Sequence, residues 1–201
     1  MRQILPASFH SDLTEDRITK IGNLIITAYH ESLEFFNEDK GDDRWTHGCR
    51  RYKWACKNIR EAIEADGYGF LSLLEDTGNK FIFLIGEVPI KFKCTNPEDP
   101  NENVLKQSRS EMQQLSLLDY GDIKHPGQLV WRMAVEDDFD GNPIRLALLG
   151  IDESKTTRCY WELPKDKLVP QIVPIHDNKA DGVEIAPAKV GLRTNEKEQE
   201  K

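Results

Sequence analysis

The sequence predicts an α+β fold in which two N-terminal helices precede an antiparallel β-sheet. Two observations support this prediction. In the first third of the chain, apolar residues recur at steps of three and four, which is helical spacing. Later, six runs rich in β-branched and aromatic residues are separated by turn signals. We therefore expect about six strands in hairpins, a helix between the third and fourth strands, and an extended C-terminal tail.

The helices are predicted over about residues 14–37, 45–67 and 102–118. Their apolar side chains share one face, as in helices that pack on a core. Gly67 ends the second helix, as a glycine does after the last helical turn. This second helix is the element around which we expect the rest of the domain to pack.

The strands are predicted from short apolar or alternating runs. They are residues 68–75, 80–86, 88–94, 129–136, 144–151 and 158–163. Gly86 and Pro89 indicate a bulge or an edge position for the third run.

The turn at residues 138–142 has oxygen-bearing side chains at the spacing found at the start of a calcium-binding loop. Pro143 stands where such a loop needs glycine, so we interpret it as a simple turn.

The chain of 201 residues suits one domain with an extension. We place the domain at residues 1–163, with an N-terminal helical part at 1–43 and a core at 44–163. Residues 164–201 contain several prolines and end in a charged tail, which predicts an extended and then disordered segment.

The composition excludes some functional classes. A net charge of −8 argues against general nucleic-acid binding. The sequence has no run of about 18 apolar residues, so it predicts no membrane span. The N-terminus does not have the pattern of a secretory signal. We therefore expect a cytoplasmic protein. The four cysteines form no CxxC pair, which favours buried reduced thiols over metal ligands. We therefore expect the protein to bind no metal and no cofactor.

The second helix carries a basic stripe beside its apolar one. It consists of Arg50, Arg51, Lys53, Lys57 and Arg60, and Trp54 lies next to it. A surface of one sign attracts phosphates or a charged partner, so we predict that these six residues bind a partner. Two other interpretations stay open: the cations pair with the protein's own carboxylates on a solvated face, and Trp54 packs against the sheet.

The order helix, three strands, helix, strand matches the core of the PD-(D/E)xK nuclease-like families. Such enzymes use carboxylates and a lysine to hold Mg²⁺ and orient the attacking water. The candidates in this sequence are Glu64, Glu75 or Asp76, Glu87 and Lys91. Glu87 and Lys91 are four residues apart, whereas the family's spacing is two. A divergent Mg²⁺-dependent nuclease is therefore an alternative, and a nucleic-acid-binding regulator is another.

Three stretches, at residues 81–92, 111–117 and 130–136, resemble uncharacterised bacterial proteins of mobile-element and toxin–antitoxin gene pairs. The resemblance covers roughly residues 44–163 and rests on strand and helix motifs, so it assigns no catalytic residue. It implies a toxin–antitoxin or phage-defence role. Our leading expectation is a non-enzymatic interaction protein that binds a protein partner, encoded by a neighbouring gene, through the basic helix face.

Overall fold

The computed structural model of the chain describes residues 5–65, 67–77, 80–118 and 129–169. The helices are α1 (Glu15–Glu34), α2 (Arg44–Glu64), α3 (Glu102–Leu105) and α4 (Arg109–Leu118). The strands are β1 (Leu71–Thr77), β2 (Lys80–Ile85), β3 (Val88–Cys94), β4 (Val130–Asp137), β5 (Pro143–Ile151) and β6 (Thr157–Glu162). These four helices and six strands confirm the predicted α+β class. Most of the extended segment predicted from residue 164 lies outside the described residues.

Side-chain caps begin the two long helices. The Thr14 side chain accepts a hydrogen bond from the Arg17 backbone N–H at the start of α1. At the start of α2, Asp43 and Thr46 form a reciprocal capping box. Each cap satisfies backbone N–H groups that have no partner within the helix. The two helices therefore begin where these short polar side chains stand.

The sheet has the strand order β1-β2-β3-β4-β5-β6. Four of its five junctions are antiparallel, but β3 and β4 run parallel, with Ile90 opposite Trp131. The prediction of an entirely antiparallel sheet is thus wrong at this junction. The reason is the connection through α3 and α4, since parallel neighbours require a long crossover.

The third strand also departs from the sequence prediction, because β3 lies in the middle of the sheet rather than at an edge. Gly86 makes the tight β2–β3 turn with a φ of +60°. Pro89, which has no N–H to donate, is tolerated because pairing with β4 begins only at Ile90.

The single helix predicted over residues 102–118 is two helices, α3 and α4. Ser108 stands at the break, where its Oγ accepts from the Glu111 backbone N–H (3.2 Å). In return, the Glu111 carboxylate accepts from the Ser108 backbone N–H (3.2 Å). This reciprocal pair starts a new helix, because a capping box satisfies the first N–H groups of α4.

Helices α1 and α2 pack against each other and cover one face of the sheet. Ile25 and Ile59 from the helices and Phe83, Met133 and Leu148 from the sheet are fully buried there. A smaller apolar cluster lies on β4–β6 and contains Ala134, Ala147, Leu149, Ile151 and Tyr160. None of the helices in the described residues has the length and apolar character to cross a membrane.

Candidate functional site

Three of the cations on the outer face of α2 already have acidic partners. The pairs are Arg50 with Asp42 (2.6 Å), Lys57 with Glu61 (3.3 Å) and Arg60 with Asp76 (2.7 Å). The expectation of a free basic face is therefore wrong for these three side chains. The open alternative, in which the protein's own carboxylates neutralise the stripe, describes them correctly.

Arg51 is buried rather than part of the surface stripe. Its guanidinium donates to Asp137 Oδ2 (2.6 Å) and to Cys94 Sγ (3.4 Å), and it lies 5.0 Å from the centre of the Tyr29 ring. Only 7% of the residue is exposed. Desolvation by itself raises the pKa of Asp137, but hydrogen bonds from Cys94 and Arg51 outweigh it and hold that pKa below its usual value. Arg51 is thus a structural residue that joins α2 to β3 and β4.

The remaining two residues of the predicted surface differ in exposure. Lys53 is exposed, whereas Trp54 is half-buried against the core, with its ring edge-on to Phe35 (5.3 Å between centroids). Trp54 therefore packs against the hydrophobic core, in agreement with the open interpretation that it is a packing residue. Whether the outer face of α2 binds a partner stays a prediction.

Three exposed aromatic side chains lie on the segments around the N-terminal half of α2, where the Phe35 ring packs beside Trp54. Phe35, Trp45 and Phe139 are 64%, 74% and 91% exposed, and no other aromatic side chain of the described residues is among its exposed large hydrophobic ones. The β4–β5 turn reaches this half of α2, because a Cβ built on Gly141 would lie 2.7 Å from His47 Cε1. We call Phe35, Trp45 and Phe139 the aromatic end.

The aromatic end is surrounded mainly by acidic residues. The acids of the flanking segments are Glu38, Asp39, Asp42, Asp43, Asp138 and Asp140, and the neighbouring cations are Lys40, Arg44 and Arg50. Hydrogen bonds from Arg50, from the Thr46 backbone and from Asn142 lower the pKa of Asp42, Asp43 and Asp138 respectively. These carboxylates are therefore ionised at neutral pH, and this end of the domain is negative.

The nuclease candidates other than Glu64 contact separate parts of the fold, and Glu87 does so through its backbone. Their contacts are Glu75 with Ser110 Oγ (2.8 Å), Asp76 with Arg60 (2.7 Å), the Glu87 carbonyl with Gln114 (3.1 Å) and Lys91 with Glu111 (2.5 Å), while Glu64 ends α2. No group of three or more potential metal ligands occurs in the part of the chain that the structure describes. The predicted Mg²⁺ constellation is not assembled in that part.

Sequence reasoning missed a buried charge cluster between α4 and β4. Glu111 and Arg132 are both fully buried and are joined by a hydrogen-bonded ion pair. Arg132 also donates to the backbone carbonyls of Val104 (2.6 Å), Trp131 (2.8 Å) and Lys106 (3.2 Å). The spacing Ser108-x-x-Glu111 is the one sequence signal that marks this site, because it is a capping-box pattern.

A small pocket lies where β2 and β3 separate. The two strands pair only from Phe83 opposite Ile90 to Ile85 opposite Val88, so the first half of β2 and the second half of β3 diverge. The space between them is about 100 Å³. Its lining consists of Tyr52, Lys80, Phe81, Lys91, Phe92, Lys93, Asn103, Val104 and Lys106.

The cysteines are free thiols, as expected, but only two of them are buried. Cys56 and Cys159 are buried, whereas Cys49 and Cys94 are exposed. Burial raises the pKa of Cys56 to about 11 and that of Cys159 to about 12. The two buried thiols are therefore protonated and poorly nucleophilic at neutral pH.

The turn after β4 is the simple turn that its sequence indicates. The Asp138 carboxylate accepts from the Asn142 backbone N–H (2.8 Å) and from its side-chain amide (3.0 Å). These bonds close the turn internally, which agrees with the choice of a turn over a calcium loop.

No protein-family model, curated protein or solved structure matches this chain. The likeness to mobile-element and defence-type proteins therefore stays a prediction, and a function has to be argued from the described contacts and surfaces.

Proposed function

We propose that this protein is a cytoplasmic interaction protein of a bacterial toxin–antitoxin or phage-defence module, and that its aromatic end binds a basic protein partner. The observation that carries the proposal is the exposure of Phe35, Trp45 and Phe139, which stand on three segments around the N-terminal half of α2. Three separate segments each present one large ring to solvent there.

Exposed rings of this size favour burial against a partner. Aromatic side chains are enriched in protein interfaces, where one anchor residue commonly contributes about 2 kcal/mol or more. Phe139 is 91% exposed at the tip of a turn and Trp45 is 74% exposed in the first turn of α2. Both rings have most of their surface available for contact, so they are the anchors we expect.

The charges around these rings favour a basic partner. The acids of the 38–43 and 138–140 segments outnumber the nearby cations, and Arg50 is held by Asp42. Complementary charge increases association rates and orients the partner. The proposal thus keeps the protein partner expected from the sequence, but moves the contact from the basic stripe to the aromatic end and reverses the expected charge of the partner.

The first test is co-purification with the product of a neighbouring gene, co-expressed with this chain. We expect Trp45→Ala and Phe139→Ala each to weaken binding by about 30-fold or more, because an anchor of about 2 kcal/mol corresponds to that factor. Met112→Ala and Leu73→Ala are matched controls, since these side chains on α4 and β1 are 50% and 36% exposed and lie outside the aromatic end. Equal binding by all four variants would contradict the proposal.

The second test separates the two surfaces by charge. Asp140→Lys should weaken binding of the co-expressed partner and reduce its salt dependence, whereas Lys57→Glu should leave binding unchanged. The opposite result would favour the basic stripe of α2. If the chain instead forms a stable homodimer that Trp45→Ala dissociates, the aromatic end is a self-association surface and the proposed partner is wrong.

A further inference from the structure

The pocket between β2 and β3 has an unusual charge for an acidic protein. Four lysines, Lys80, Lys91, Lys93 and Lys106, line it, and no carboxylate does. The chain as a whole has a net charge of −8. Positive charge is therefore concentrated in one concave place, where low-dielectric walls strengthen its field.

The nearby carboxylates only partly compensate these lysines. Glu111 binds Lys91 (2.5 Å) but is shared with the fully buried Arg132. Lys80 lies 3.8 Å from Glu75. Among the described residues, Lys93 and Lys106 form no ion pair within 4 Å. Lys106 contacts the neutral Asn103 (2.9 Å), and Lys93 lies over the Tyr52 ring. A surplus of positive charge thus remains in the pocket.

Lys93 experiences this surplus directly. Desolvation, followed by repulsion from Lys91 and Arg132, lowers its pKa. A lysine held near two other cations is electrostatically unfavourable unless an anion is added. The geometry agrees with this, because Lys93 is only partly exposed and lines the pocket with its neighbours.

We propose that the pocket between β2 and β3 is a binding site for a phosphate group, held by Lys91, Lys93 and Lys106. Tyr52 and Phe92, whose rings are 5.1 Å apart, form an apolar wall beside the lysines. A volume of about 100 Å³ suits a single small anion, since drug-sized ligands occupy roughly 300–1,000 Å³. The phosphate is either free or carried by a nucleotide.

The site is distinct from the aromatic end and does not depend on the proposed partner. We would titrate the full-length protein with inorganic phosphate in a low-chloride buffer and follow both binding heat and thermal unfolding. We expect saturable binding of one phosphate per chain and a rise in Tm, because a ligand that binds only the folded state stabilises it. Partner binding is measured separately on the same samples.

Lys93→Met and Lys106→Met are the informative variants. We expect each to lower phosphate affinity by about tenfold or more, which is about 1.4 kcal/mol per lost contact. Lys93→Met should also be at least as stable as the parent protein without phosphate, since it removes a cation repelled by Lys91 and Arg132. Lys40→Met, an exposed lysine outside the pocket, is the control.

Three results of the phosphate titration would overturn the proposal. They are no saturable binding at about 10 mM phosphate, a concentration at which even millimolar affinity is detectable, equal phosphate affinity in Lys93→Met, and an equal response to chloride. A fourth such result comes from oligonucleotides. Oligonucleotides with and without a 5′-phosphate, together with AMP, distinguish the sources. Preference for the 5′-phosphorylated strand or AMP assigns the group to a nucleotide, and preference for inorganic phosphate assigns it to the free anion. Equal binding of both oligonucleotides would indicate general backbone attraction and would contradict a site for one phosphate group.

Discussion

Replacing Glu111 by leucine should unfold the protein at a substantially lower temperature, because the change leaves positive charge buried without a counter-ion. Glu111 pairs with Arg132, and both side chains are fully buried. It also pairs with Lys91, whose side chain is 13% exposed. Leucine keeps a similar volume, so the effect reports lost charge and hydrogen bonding rather than a cavity.

The expected loss can be estimated from these contacts. Breaking a buried ion pair on one side typically destabilises a protein by about 3–5 kcal/mol. The substitution also removes the carboxylate that accepts from the Ser108 N–H, and a lost helix cap costs about 0.5–2 kcal/mol. Arg132 keeps its hydrogen bonds to backbone carbonyls, which limits the cost of losing Glu111. We therefore expect the free energy of unfolding to fall by about 3–5 kcal/mol in total. For a domain of this size, that corresponds to a Tm decrease of about 6–20 °C.

The assay is urea and thermal unfolding followed by circular dichroism. Gln113→Leu, an exposed change on the same helix, is the control and should remain within about 0.5 kcal/mol of the parent. Combining Glu111→Leu with Arg132→Met should destabilise by clearly less than the sum of the two single changes, because the double variant buries no unpaired arginine. A loss below about 1 kcal/mol for Glu111→Leu, or strict additivity, would refute this account of the cluster.

Three further outcomes follow from other contacts. The folded-state pKa of Asp137 lies below the ordinary aspartate value of 3.8. The ionised Asp137 carboxylate therefore stabilises the fold at pH values above 3.8, and this stabilisation is lost as the pH falls through the folded-state pKa. Asp137→Asn should therefore destabilise at neutral pH, and the difference from the parent should shrink in acid when urea unfolding is measured across pH; a constant difference would contradict this assignment. Gly86→Ala should destabilise the protein by about 1–3 kcal/mol in urea unfolding, because Gly86 has a positive φ and an added Cβ would overlap the Asp12 carboxylate. Parent-like stability of this variant would show that the turn relaxes freely. A thiol reagent followed by mass spectrometry should label Cys49 well before Cys56, because Cys49 is exposed whereas burial raises the pKa of Cys56 to about 11; equal rates would contradict the packing of α2.

The sequence was sufficient for the features that depend on local pattern. The α1 and α2 boundaries fall within a few residues of the predicted ones, because three- and four-residue apolar periodicity and caps act within single turns. All six strands were placed for the same reason, since alternation and turn residues are local signals. Trp131 lies on the same face of an alternating strand as Leu129 and Met133, and all three are buried, as such alternation indicates.

The features that were missed depend on residues far apart in the chain. Arg51 has the spacing of an exposed stripe, and only the approach of Asp137, 86 positions later, shows that it is buried. Arg132 stands at the polar position of an alternating strand, which normally predicts solvent exposure, yet α4 covers it and supplies Glu111. The aromatic end likewise combines two helices and a distant turn, so no single stretch of sequence predicts it.

The parallel ladder between β3 and β4 has a consequence for how the chain assembles. Each set of three strands, β1–β3 and β4–β6, is a meander of short hairpins, but the ladder that joins them pairs residues 41 positions apart, as in Ile90 opposite Trp131. Contacts between residues so far apart in the chain form late in folding, because the intervening loop has to close first. Until then both meanders present an open edge strand. In concentrated refolding, the β4–β6 meander of one copy can pair with β3 of another and yield a domain-swapped dimer.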